Sequence, residues 1–251
     1  FLSIIDLDQG HTLNAWMICK QTKITCISIH PQILDCIVVG DEEGDVFLFG
    51  GEPRNPIQQY KAHEGQVYSV KICPQGNFLA TSGEDHLIRI YDISKGVVHG
   101  TINPTKKFDS PLFCLDFHPT EQILAACAED RNVKIYDINR VIEMRNGFLI
   151  GKKSPSKITF SPDGEVVASC SPSSLSVFKT ADAYQEDHLK LSLKKIQDLK
   201  VFDKGIAIAV SDDCQGNVII AKTEDFVFNK RKKKKKQKRS PSPDLFSPAQ
   251  I

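Results

Sequence analysis

Apolar and polar side chains alternate in short runs along most of this chain, and turn-forming residues separate the runs. Val67 to Ile72 reads Val-Tyr-Ser-Val-Lys-Ile, the pattern of a half-buried strand. Pro74-Gln75-Gly76-Asn77 follows, where proline pre-sets φ and glycine and asparagine accept positive φ. Phe78 to Thr81 starts a second strand, and Gly83-Glu84-Asp85-His86 turns the chain. Leu87 to Asp92 makes a third strand, Ser94-Lys95-Gly96 turns again, and Val97 to Ile102 supplies a fourth. The pattern predicts a four-stranded antiparallel unit.

The unit recurs. Four phrases end its first strand: Cys26-Ile27-Ser28-Ile29-His30-Pro31, Ser69 to Pro74, Cys114-Leu115-Asp116-Phe117-His118-Pro119, and Lys157 to Pro162. Their prolines lie 43, 45 and 43 residues apart. A period of about 40–45 residues with several short strands in each is the mark of a β-propeller. Further copies run over Ile24–Gly51, Leu112–Arg140 and Ser156–Thr180, with a weaker one over Ile196–Phe226. Phe1 to Lys20 reads as the last two strands of another. The expected fold is all-β: about five blades plus a partial N-terminal blade, drawn from a larger ring that continues before Phe1. A five-bladed ring is the alternative. The propeller is expected over 1–228, with a disordered tail over 229–251.

Charge divides the chain in the same place. Nine of its 32 basic residues are Lys230, Arg231, Lys232, Lys233, Lys234, Lys235, Lys236, Lys238 and Arg239, while only one of its 31 acids, Asp244, follows Asn229. The body is therefore acidic and the tail basic, which implies separate partners or a tail that folds back. So charged a run does not fold alone. It suits nuclear import, RNA or an acidic polymer surface such as the microtubule, or serves as a solvated linker. Ser240, Ser242 and Ser247 each precede proline and resemble sites of proline-directed kinases; phosphate there would weaken the basic run's grip.

The turns between second and third strands carry Glu42, Glu84 and Glu129. They are candidates for an acidic docking arc for a basic partner segment; solubility of exposed turns is the competing explanation. The eight cysteines form no CxxC and show no metal-ligand spacing with histidine, and they read as small buried hydrophobes of a reducing compartment. No signal peptide or membrane-spanning run is visible. No catalytic motif stands out, so neither an enzyme nor a cofactor is expected.

These repeats resemble the WD-repeat family, whose third strand closes on Trp-Asp; here Tyr91-Asp92 and Tyr136-Asp137 hold that place, and Ala62-His63 stands for the family's Gly-His. The resemblance implies a structural hydrogen-bonded set of His63, Thr81, Asp85 and Tyr91. Tryptophan is absent from the Trp-Asp position throughout, a departure that moves the donor.

The order of strong and weak repeats over roughly Gln66 to Phe226, from Glu84-Asp85-His86 through Phe117-His118-Pro119 and Ser161-Pro162-Asp163-Gly164 to the degenerate Val201–Val210 copy, is similar to the C-terminal half of the propeller of katanin's WD-repeat regulatory subunit. That likeness implies a non-catalytic scaffold that targets a microtubule-severing AAA ATPase, in the cytoplasm or on the cytoskeleton. The alternatives are a nuclear scaffold in RNA or ribosome processing, its tail meeting RNA or an import receptor, and a substrate adaptor of a ubiquitin ligase.

Overall fold

The computed structural model of the chain describes residues 2–5, 12–16, 22–33, 36–50, 55–103, 112–128, 132–149, 156–180, 185–190, 195–202, 205–211, 216–222 and 248–249. All regular structure among these residues is β-strand. β1 (Leu2–Ile5) and β2 (Thr12–Trp16) form a two-stranded sheet. Five antiparallel four-stranded sheets follow. The first holds β3 (Ile24–Ile29), β4 (Ile37–Asp41), β5 (Asp45–Phe49) and β6 (Gln58–Lys61). The second holds β7 (Val67–Ile72), β8 (Phe78–Gly83), β9 (Ile88–Asp92) and β10 (Val97–Ile102). The third holds β11 (Leu112–Phe117), β12 (Ile123–Ala128), β13 (Asn132–Asp137) and β14 (Ile142–Leu149). The fourth holds β15 (Lys157–Phe160), β16 (Val166–Ser171), β17 (Ser174–Lys179) and β18 (Gln185–Lys190). The fifth holds β19 (Lys195–Phe202), β20 (Gly205–Ser211), β21 (Gly216–Lys222) and β22 (Pro248–Ala249).

This is the propeller architecture, with the strands β3, β7, β11, β15 and β19 side by side at its centre. Pro248 and Ala249 pair with Ile219 and Val218. The open edge of β21 accepts an extended segment, and proline is tolerated there because an edge strand has one unpaired side.

Each sheet has two working faces, and alternation along its first strand decides which residues serve which. Val70 and Ile72 point back to the first sheet, Leu115 and Phe117 back to the second, Ile158 and Phe160 back to the third. Leu199 and Val201 do the same against the fourth. The resulting clusters fill the spaces between neighbouring sheets; each such aliphatic side chain removed from water contributes roughly 1.5–3 kcal/mol. In the first sheet the equivalent residues are Ile27 and Ile29, which are 49% and 60% exposed.

Most intervening residues of the same strands are polar, and with Thr25, at the irregularity between Ile24 and Cys26, they reach the following sheet. Thr25 Oγ1 donates to the Val67 carbonyl at 2.6 Å, and Ser28 Oγ accepts the Ile72 N–H at 3.2 Å. Asp116 Oδ2 accepts the Phe160 N–H at 2.9 Å. These bonds satisfy backbone groups on the innermost strands, which have no strand neighbour on that side.

His30 and His118, which precede the prolines of matching phrases, link neighbouring sheets. Nδ1 of His118 accepts the N–H groups of Thr120 and Glu121 at 3.2 and 3.0 Å, so its Nε2 carries the proton and donates to the Gly164 carbonyl at 3.1 Å. His30 repeats this with Gln32, Ile33 and the Gly76 carbonyl. Between them, where Cys73 replaces the histidine, Gln75 Nε2 donates to the Thr120 carbonyl at 3.0 Å instead.

Candidate interaction surface

The turn between β8 and β9 is built on a buried charge. His63, between β6 and β7, has Nδ1 2.7 Å from Asp85 Oδ1 and Nε2 2.9 Å from Thr81 Oγ1. A carboxylate only accepts, so Nδ1–H donates to Asp85 and Nε2 accepts the Thr81 hydroxyl. Asp85 Oδ2 also takes Arg89 at 2.6 Å, and Oδ1 takes the Leu87 N–H at 3.2 Å. Burial holds His63 below its ordinary range in spite of Asp85. Burial opposes the charge on Asp85, but the bonds from His63 and Arg89 prevail and keep its carboxyl below the usual range. The group is a neutral imidazole between a hydroxyl and a carboxylate–guanidinium pair.

Tyr91 stands apart from this set. It is buried between the first and second sheets, its ring centroid 4.4 Å from that of Tyr60. Arg89 supplies the donor that a third-strand aromatic would otherwise bring. A histidine–aspartate pair invites comparison with a proton relay, but the His63 side chain is 0% exposed and both its nitrogens are spent. Its chemistry is that of a fastener.

Glu42 and Glu84 prove to be partly structural. The Glu42 N–H donates to the Lys23 carbonyl while its carboxylate accepts the Lys23 N–H. Glu84 does the same with Gln66. Each glutamate thus clamps the turn of its sheet to the start of that sheet's inner strand, leaving the carboxylate at the surface. The two turns are also contiguous. Gly44, at φ 90°, lies so close to the Ala62–Gly65 linker that a Cβ would strike the His63 carbonyl. Gly65, at φ 92°, rests directly on the Glu84 carboxylate. Glu42, Glu43, Glu64 and Glu84 are all exposed on this rim. Lys61 turns its ammonium onto the Glu43 carbonyl and Asp45, so part of its charge is already engaged. Glu129 lies outside the described residues, as do Lys230 to Arg239, Ser240, Ser242 and Ser247.

At the centre, the inner strands enclose a cavity of ≈ 400 Å³. Lys71, Lys157 and Lys200 line it together with Asp116, Asp198 and Cys114. Lys71 Nζ lies 3.6 Å from Asp116. Burial disfavours the Lys71 charge, but Asp116, with Cys114 and Asp198 behind it, holds the ammonium above its ordinary range. Among the described residues, no group of three or more His, Cys, Asp or Glu is placed to hold a metal ion. Among the described residues no helix is long and apolar enough to cross a membrane.

Residues 54–92 and 102–137 match the family model described as WD domain, G-beta repeat. The chain carries WD repeats. Curated proteins similar to it are WD-repeat proteins of several kinds. The serine-threonine kinase receptor-associated protein of Homo sapiens is 31% identical over 100 residues, 40% of this chain and 27% of that protein. WD repeat-containing protein 46 of Mus musculus is 27% identical over 104 residues, 41% of this chain and 16% of that protein. The ribosome biogenesis protein BOP1 homolog of Leishmania braziliensis is 46% identical over 37 residues, 15% of this chain and 5% of that protein. The matched stretches span at most 27% of these relatives' length, so their whole activities stay with them.

Proposed function

We propose that this WD-repeat protein is a non-catalytic interaction scaffold that holds a basic segment of a partner protein on the acidic rim of its first two sheets. The observation that supports this reading is the continuous rim of Glu42, Glu43, Glu64 and Glu84, exposed on turns that pack on one another. Such a predominantly acidic rim raises the rate at which an oppositely charged segment docks. Glu129 extends the same series by its place in the repeat.

The test separates charge from turn geometry. Glutamine at 42, 43, 64 and 84 removes four charges but keeps the carbonyl oxygen that accepts the Lys23 and Gln66 N–H groups. Binding of a fluorescent Lys/Arg-rich peptide is followed by anisotropy at low and high salt. The expected result is at least about tenfold weaker binding in the variant and a steep loss with salt in the parent. Equal affinity of parent and variant would reduce the glutamates to turn clamps.

Two finer readings compete for the partner. The katanin-type reading has no katanin subunit among the relatives named above. A scaffold of RNA or ribosome processing in the nucleus is favoured by the short match to a ribosome biogenesis protein and by the lysine-rich tail. Deleting 230–239 distinguishes them: tail-dependent RNA crosslinking supports the second, and tail-dependent pelleting with microtubules supports the first.

A further inference from the structure

The rung of the ladder five residues before each phrase-closing proline differs from sheet to sheet. Cys26 faces Gly40 in the first sheet, Ser69 faces Ser82 in the second, Cys114 faces Cys127 in the third, and Lys157 faces Cys170 in the fourth. Asp198 faces Ala209 at the matching place in the fifth. Of these five rungs, only the third sets two thiols opposite each other.

Opposed residues of antiparallel strands have Cα atoms about 4.5–5.5 Å apart, inside the 4.4–6.8 Å window a disulfide requires. Both side chains leave the sheet on one face and join the cluster with Ile158 and Phe160. The two thiols are within reach of each other. They are not equally placed: Cys114 borders the central cavity beside Lys71 and Lys157, while Cys127 lies fully buried behind it. The structure holds them as free thiols.

We propose that Cys114 and Cys127 are a peroxide-reactive pair that closes to a cross-strand disulfide, with Cys114 the attacking sulfur and Cys127 the resolving one. The Cys114 thiolate attacks one oxygen of hydrogen peroxide; the O–O bond breaks, and the leaving hydroxide is protonated to water. Cys114 is then a sulfenic acid. The Cys127 sulfur attacks it, the S–O bond breaks, and the Cys127 proton leaves with the hydroxyl as a second water. Two thiols have lost two electrons and one peroxide has gained them.

The local charge favours this order. The neighbouring Cys127 thiol, with the Lys157 and Lys71 cations, draws the Cys114 thiol below its ordinary range against the effect of burial. Cys114 in turn, with burial, pushes Cys127 up. Cys26 is the internal control. It lies on the matching rung of the same cavity, but it faces glycine and is pushed up to about 11 by burial.

Both cysteines fall within one tryptic peptide, 108–131, since no lysine or arginine divides it. The full chain is treated with hydrogen peroxide, quenched with catalase, unfolded, labelled with N-ethylmaleimide and digested. The expected product is this peptide with no label and two hydrogens fewer, formed before Cys26 loses its label in the 24–54 peptide, where fragment ions separate it from Cys36. Dithiothreitol should restore both labels. In Cys114→Ala, Cys127 should stay labelled at the same peroxide dose. Two labels on the 108–131 peptide at a dose that oxidises Cys26 would overturn the proposal, as would a stable sulfinic acid at Cys114 with Cys127 still labelled. Mapping of the parent chain decides the matter even if the variant does not fold.

Discussion

In the second sheet the turn between β8 and β9 is fastened by charge, whereas in the fourth the turn between β16 and β17 is fastened by hydroxyls. The first uses His63, Asp85 and Arg89. The second uses Ser171, whose Oγ lies 2.9 Å from Ser174 Oγ and accepts the Ser173 N–H at 3.3 Å. Turn length accounts for the difference. Residues 84–87 intervene in the second sheet and only Pro172 and Ser173 in the fourth. Two N–H groups converge on the longer turn, Leu87 from within it and Glu64 from the connection before β7, and a carboxylate can accept both while still bonding a histidine and an arginine. The shorter turn asks for less, and one serine hydroxyl meets it.

Three results would break or sharpen that contrast. Asp85→Ala should have the largest effect: it strips the partner from His63 and Arg89 and should cost about 3 kcal/mol in urea unfolding. A cost below about 1 kcal/mol would mean that the charged set is ornamental to the fold. Next comes pH. Because His63 titrates below its ordinary 6.5 when folded, the unfolded chain takes up the proton first as pH falls. Its contribution is complete above 6.5 and declines as pH drops from there towards the folded value. Asp85, held below 3.8, adds a further loss only as pH falls through its own lower folded value. Urea midpoints measured from about pH 7.5 down to about pH 5 should therefore fall in the parent, and fall less in His63→Asn. An identical slope in both would place the titration elsewhere. The smallest effect belongs to the fourth sheet: Ser171→Ala should cost about 1 kcal/mol and leave the pH dependence unchanged.

Strand positions and the five sheets were legible because alternation and turn residues mark short strands and their ends, whereas the packing of both faces of each sheet was not. The bonds around His63 were implied only by likeness to other repeats, and Tyr91, the fourth residue so implied, packs elsewhere. Tyr91 packs on Tyr60 because its place on β9 faces the previous sheet, while Arg89 reaches Asp85 across the turn. A long cation in a strand looks like a surface residue until the turn geometry is known. The glutamates read as free surface charge, since nothing in the pattern shows that Glu42 and Glu84 each close a reciprocal bond with Lys23 and Gln66. The thiol pair was hidden for a related reason. Cys114 and Cys127 are neighbours only in the register set by the connection between β11 and β12, and one residue more in that connection would part them.

Among the described residues, these side-chain-to-backbone bonds between sheets run in one direction. Thr25, Ser28, His30, Gln75, Asp116 and His118 each reach from an earlier sheet to the backbone of the next. A ribosome therefore delivers each sheet already carrying the side chains that will receive its successor, so assembly can proceed like a zip drawn from the N-terminal side. Damage travels the same way: a lost side chain in one repeat is felt as a loosened turn in the repeat that follows.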